Sequence, residues 1–217
     1  MARARRARGT SPLAVFGIVV LVLVVLGGAW AAWVYVGSTM LAERAHTRGI
    51  AELEERWRAP VEAEAEAELP PPTLGEPAWI LEIPAIDLRV PIIAGTGPAE
   101  LRSGVGWYPT SNRPGEVGNV GIAGNRVGDG EPFRRLLELQ AGDEVVVETH
   151  IKRYTYAVRV APADLTVTPE DSWVLDPVPG EDFDPHEAVL TLTTEQDLYP
   201  TPDRSVGFAV LVKEEPQ

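Results

Sequence analysis

The sequence contains no cysteine. That absence excludes disulfides, cysteine-ligated metal sites and any thiol nucleophile, and it leaves the redox compartment undetermined. Lysine is nearly missing too: Lys152 and Lys213 are the only two, so almost all positive charge is arginine. Histidine occurs only at His46, His150 and His186. Acidic residues outnumber basic ones by 32 to 19, a net charge of -13. Such acidity argues against a nucleic-acid partner, which needs a basic surface to displace counterions. Proline and glycine are abundant, at 20 each in 217 residues, a length sufficient for one sizeable domain plus additional segments.

Charge is also missing from one long run. "RARRAR", Arg3 to Arg8, lies in a basic tail over 1–11, and the 24 residues from Leu13 to Val36 then carry no charge. At 1.5 Å per residue that run spans roughly 36 Å, enough to cross a hydrocarbon core of about 30 Å with some tilt. Trp30, Trp33 and Tyr35 cluster at its far end, as an interfacial aromatic belt does. The run exceeds the apolar core of a signal peptide, and no small-residue cleavage site follows it. A single transmembrane helix is therefore expected over 12–36. The arginines mark the cytoplasmic side, so the C-terminal bulk is expected to be extracellular. A stalk is expected over 37–77. Leu41 to Arg58 reads as helical, with apolar Leu41, Ile50, Leu53 and Trp57, and "VEAEAEAELPPP" reads as an extended, self-repelling spacer.

Over 78–217 the pattern changes to short strands with turn punctuation. Trp79–Ile83, Leu88–Ile93, Asn119–Gly124, Asp143–His150, Tyr154–Val160, Asp164–Thr168, Ala188–Thr194 and Ser205–Val212 all read as strands. Asp143–His150 and Tyr154–Val160 read as a hairpin. Pro84 and Pro91 imply edges or bends. Glu131–Leu139, with Pro at an early position and apolar Phe133, Leu136, Leu137 and Leu139, reads as one short helix. A mainly β domain of seven or eight strands is a closed barrel or a sandwich, and periodicity alone does not choose.

More specific motifs lie within this pattern. "PGEVGNVGIAGNR" (Pro114 to Arg126) is followed by "PF", "LLEL" and "GDEVVVET", then by "VLTLTT" with an arginine on the next strand. In order and spacing this resembles the sortase family, with class E sortases of Gram-positive bacteria the nearest in pattern. The resemblance covers roughly Trp79 to Val212. It implies an eight-stranded sortase-type barrel with one or two short helices, and it suits a preceding anchor and stalk. In that family a cysteine closes "TLTTC" and attacks a threonine carbonyl of a sorting signal, a histidine in "AGHR" does acid/base work, and an arginine follows. The corresponding positions here are Glu195, Asn125 and Arg204, so only the arginine is retained. The family's "GPGHY" reads "GVGWY", with Trp107 in place of histidine. The resemblance makes Trp107, Thr193, Thr194 and Arg204 the candidates for lining a peptide cleft.

The chemistry of the departures is consistent. A thiolate forms and releases an acyl group readily with an imidazole beside it. A carboxylate attacking an amide would form a mixed anhydride, and an asparagine amide neither gives nor takes protons in the working range. Glu195 preserves the negative charge that a thiolate would offer Arg204, and Asn125 is expected to hydrogen-bond the same carboxylate. His46 is expected beside the membrane, His150 in a hairpin turn and His186 in an acidic loop, none of them a catalyst. No cofactor is expected. The loop with Glu181, Asp182, Asp184 and Glu187 corresponds to one that contributes to calcium binding in some sortases, and these four are the only calcium candidates. The expectation is a membrane-anchored pseudo-sortase that binds sorting-signal peptides, pilins or other surface proteins, or an active sortase. The alternatives are a hydrolase or transpeptidase of altered chemistry at Glu195 and Arg204, or a structural surface module.

Overall fold

The computed structural model describes residues 12–32, 38–58, 72–199 and 201–217. It comprises two units, Met1–Ser38 and Thr39–Gln217. In the first, Pro12–Ala32 forms helix α1, 21 residues without a charge. Among the described residues no helix is long and apolar enough to cross a membrane. The single-pass helix expected over 12–36 is corrected to that extent: the charge-free run continues to Val36, but 33–37, with Trp33 and Tyr35, lie outside the described residues. So do the basic tail 1–11 and most of the acidic, proline-rich stretch, 59–71.

Among the described residues the second unit has nine strands: β1 (Pro77–Ile83), β2 (Leu88–Ala94), β3 (Val105–Trp107), β4 (Gly118–Ala123), β5 (Glu144–Glu148), β6 (Lys152–Val160), β7 (Thr166–Val167), β8 (Ala188–Glu195) and β9 (Arg204–Pro216). Their order is β6-β5-β1-β2-β3-β4-β8-β9, and a β6–β9 pairing closes this run into a barrel of eight, with the two-residue β7 attached outside on β9. Closure removes the edges that an open sheet would expose. The β2–β3 and β4–β8 pairs are parallel, the others antiparallel. The hairpin read from the sequence is β5–β6, with Val147 opposite Tyr154.

Alternation along β4 and β8 decides what each face does. Val120 and Ile122 of β4 and Leu190 and Leu192 of β8 enter the main core, with Leu81, Ile83, Ile92, Phe133, Val147 and Tyr156. The intervening residues face outward but are also buried, beneath the connection between β7 and β8. There Val189 joins Val167, Val174, Phe183, Val206 and Phe208 in a second apolar cluster. Asn119 fastens the connection down. Its amide nitrogen donates to the Val174 and Asp176 carbonyls, both at 3.0 Å, and its oxygen accepts the Thr191 hydroxyl at 2.7 Å.

Two local expectations change. Glu131–Leu139 is not an α-helix: its turns close by i→i+3 bonds, with a 3-10 segment at Leu136–Glu138. Phe133, Leu136 and Leu139 are all buried, and a spacing of three places them on one side of a 3-10 turn. The short helix is instead α3 (Pro98–Ser103), started by Pro98, and β3 is a strand that the sequence pattern does not single out.

Where the sequence reads as a stalk, Ser38–Trp57 forms helix α2 and its described part packs on the barrel. Leu53 is completely buried. A Cβ on Gly49 would lie 3.0 Å from the Pro91 ring of β2. Arg89 bridges Glu54 at 3.2 Å and Glu148 at 3.1 Å, and Arg153 joins Glu148 to Glu82. At the helix end, His150 Nε2 lies 3.0 Å from the Trp57 carbonyl and the two rings stack at 6.2 Å. His150 does occupy the β5–β6 turn, but His46 is 8% exposed, so the juxtamembrane surface position expected for it is not observed.

Candidate functional site

The site lies where β8 ends and β9 begins, next to the carboxyl end of β4. In the β8–β9 ladder Glu195 is opposite Arg204 and Thr194 opposite Ser205. In the parallel β4–β8 ladder Ala123 is level with Thr193, so Gly124 and Asn125 emerge beside Thr194 and Glu195. The Gly124 N–H donates to the Thr193 carbonyl at 3.1 Å, and the Thr194 hydroxyl donates to the Gly124 carbonyl at 2.8 Å. Glycine is needed at 124 because a Cβ there would sit 2.5 Å from the Phe133 ring in the core. Register therefore gathers positions 125, 195 and 204, the three that the resemblance singles out.

Their contacts differ from those expected. Glu195 Oε1 and Arg204 are 3.8 Å apart, with side chains 29% and 45% exposed. A loose, solvated pair of this kind contributes about 0–1 kcal/mol. The other oxygen, Oε2, accepts the Arg126 backbone N–H at 2.7 Å, with the Thr194 hydroxyl at 3.3 Å. Asn125 does not reach the carboxylate: its amide nitrogen points to the Leu101 carbonyl, at 3.5 Å. The interaction expected of Asn125 is made by the backbone of the next residue. A residue-type pattern does not reveal a main-chain amide; only its position in the "AGNR" segment points to it.

Arg126 also ties two loops together, its guanidinium donating to the Gln196 carbonyl, while its Nε is buried with no hydrogen-bond partner among the described residues. Gln196 in turn accepts the Ser205 hydroxyl. Thr193 and Thr194 are both buried, and the Thr193 hydroxyl lies 3.4 Å from the Tyr108 hydroxyl. Trp107 does not line the site. It is 4% exposed, donates to the Asn112 carbonyl at 3.0 Å and packs edge-on against Trp79, with ring centres 5.1 Å apart. Its indole fills the barrel core, which is where its neighbours on β3 direct it.

In the acidic loop an arginine engages one of the carboxylates. Glu187 gives both carboxylate oxygens to Arg159, at 2.6 and 2.9 Å, and this pairing holds its carboxyl below the usual range. An Asp184 oxygen accepts the His186 N–H at 2.8 Å. Among the described residues no group of three or more histidine or acidic side chains is arranged to hold a metal. Of the four acidic residues, Glu187 and Asp184 spend carboxylate oxygens on Arg159 and on the loop's own turn.

Comparison with known proteins agrees with this geometry. The family described as Sortase domain matches residues 81–212. Sortase SrtE1 of Streptomyces coelicolor is 34% identical over 151 residues, 66% of this chain and 42% of that protein. Sortase D of Bacillus subtilis is 37% identical over 87 residues, 40% of this chain and 42% of that protein. The chain thus spans about 42% of the length of each of these curated relatives. The crystal structure of sortase E1 from Streptomyces coelicolor, with a tripeptide in its active site, superposes with a TM-score of 0.61 at 34% identity, covering 65% of this chain and 91% of that one.

Proposed function

Because the chain belongs to the sortase family, we propose that it is a pseudo-sortase: a barrel that holds an extended peptide at the Glu195–Arg204 site without cleaving and rejoining it. The observation that carries the reading is the environment of Glu195. Its neighbours are a backbone amide, a threonine hydroxyl and a guanidinium. None of these groups serves as a proton shuttle near neutral pH, and the sequence has no thiol. With Oε2 committed to the Arg126 N–H at 2.7 Å, the carboxylate is anchored as part of the loop framework. Arg204 meets Glu195 only at 3.8 Å and is 45% exposed, so its donors are available to a peptide carbonyl.

The tripeptide in the Streptomyces coelicolor structure supports a peptide as occupant. The partners proposed are sorting-signal segments of surface proteins such as pilins, or an active sortase handling the same signals. Calorimetry with LPXTG- and LAXTG-type peptides tests this. Binding is expected, weakened about tenfold or more in Arg204→Ala, since a hydrogen bond to a charged donor contributes about 1.5–3 kcal/mol. No binding of any such peptide removes the receptor reading. The pair Asn125→His with Glu195→Cys restores imidazole and thiol, and peptide cleavage by that variant is the expected gain.

One observation favours a second reading. Among the described residues Glu195 Oε1 has only the long Arg204 contact and the side chain is 29% exposed, so it is open to water as a general base. Turnover of fluorogenic sorting peptides that disappears in Glu195→Gln would establish a hydrolase instead. Attachment to the extracellular face of a membrane belongs to the proposal on sequence grounds, since 13–36 carry no charge and follow an arginine-rich tail. Retention in the membrane pellet after alkaline carbonate extraction is the expected result, and release into the supernatant opposes an integral anchor.

A further inference from the structure

The loop that carries Asn125 and Arg126 is held from outside by α2. From Gly128 to Glu131 four consecutive residues have positive φ, at 75°, 48°, 83° and 47°. Asp129 and Glu131 are not glycines; aspartate visits this region more readily than most residues, but for glutamate it is uncommon and calls for a constraint. Part of the constraint is local. The Glu131 carboxylate accepts the Gly128 N–H at 3.1 Å and pairs with Arg134, and the Phe133 N–H returns to the Asn125 carbonyl at 3.0 Å. The rest comes from α2. A Cβ on Gly130 would lie 2.8 Å from the Ala42 Cβ and 2.9 Å from His46 Cε1, so the helix lies directly on the loop backbone.

His46 is the unusual member of this contact. It is 8% exposed, and its Nε2 has no hydrogen-bond partner among the described residues. Ala42, His46, Gly49 and Leu53 are all buried and share one stripe of α2, spaced four, three and four residues apart. An imidazole without a partner is tolerated in such a contact only while it is uncharged.

We propose that α2 is a clamp on the site loop, and that protonation of His46 releases it. The loop positions Arg126, whose backbone N–H holds Glu195, so release would loosen the site from the rear. Burial lowers the affinity of His46 for a proton, and Glu43 on the same helix opposes this more weakly. Asp129 and Glu131 flank Gly130 on the opposing loop, with Glu131 already paired to Arg134. At the other end of α2, His150 meets the Trp57 carbonyl. The docked state binds fewer protons than the free helix. Docking is therefore complete above the ordinary imidazole value of 6.5 and is lost as pH falls below it through the lowered value.

The proposal does not depend on what the site binds, and its test needs no ligand. Hydrogen–deuterium exchange of the full chain at pH 7.5 and pH 5.0, corrected for intrinsic exchange rates, reads both segments. Residues 42–53 and 125–131 are expected to lose protection together at pH 5.0 while β4 and β8 keep theirs. His46→Leu, which cannot be protonated, is expected to abolish the response, and His150→Gln to leave it. Unchanged protection of α2 at pH 5.0, loss in α2 without loss in the loop, or a wild-type response in His46→Leu would each overturn it. If His46→Leu does not dock at pH 7.5, Leu53→Ala tests the coupling at neutral pH. Loosening of α2 by that change must loosen 125–131 as well, and a loop that stays protected refutes the clamp.

Discussion

At the end of β8, Glu195 has two roles that substitution separates. Glu195→Ala removes the acceptor of the Arg126 N–H in a partly buried setting, and the expected loss of stability is about 1–2 kcal/mol. Glu195→Gln keeps a carbonyl acceptor and is expected to cost less than about 1 kcal/mol. Arg204→Ala is expected to change stability by no more than about 1 kcal/mol, because its ion pair is long and solvated. Urea unfolding of the three variants measures the series. A large effect of Arg204→Ala would show that the guanidinium has a structural partner beyond Glu195. The cross-strand placement of Glu195 and Arg204 was legible in the sequence, because the "VLTLTT" strand and the arginine opening the next one imply a ladder. The Arg126 amide was not, since every residue but proline has one.

Among the elements, the connection between β7 and β8 depends on one buried side chain. Asn119 satisfies two carbonyls of that connection and one hydroxyl of β8. Asn119→Ala removes the donor of the Asp176 carbonyl and leaves the Thr191 hydroxyl and the Val174 carbonyl only their mutual 3.2 Å bond, and a loss of about 1–3 kcal/mol is expected. Hydrogen exchange should show the connection opening before the barrel does. Gly124→Ala is expected to destabilise by about 1–3 kcal/mol, because its new methyl meets the Phe133 ring in a packed core. A drop in the urea midpoint of this size, with an unchanged slope, checks it. The strands bordering these positions were legible from alternation. The 3-10 geometry of 133–139 was not, since apolar residues three apart satisfy a helical pattern equally well until packing selects the tighter turn.

For the whole molecule, closure of the barrel has a consequence at high pH. Tyr156 of β6 is fully buried, and its hydroxyl oxygen accepts the Gly115 N–H at 2.8 Å. Burial pushes its phenol well above the ordinary value of 10.0, so the folded barrel holds a proton that the unfolded chain gives up. Stability is expected to be intact below pH 10 in this respect and to fall as pH rises beyond it. Thermal unfolding from pH 8 to pH 11 should show that fall, and Tyr156→Phe should flatten it while lowering stability at neutral pH. The sequence by itself determined most of the strands, the resemblance to the family, the absence of a thiol and the identities at positions 125, 195 and 204. These are matters of residue type and local periodicity. Only the tertiary structure decided that Trp107 fills the core, that the Arg126 backbone replaces Asn125 at the carboxylate, and that α2 lies on the barrel. Each of those depends on which surfaces meet across distant parts of the chain. Ala42, His46 and Gly49 form a docking stripe only when the Gly130 loop and Pro91 are there to receive them.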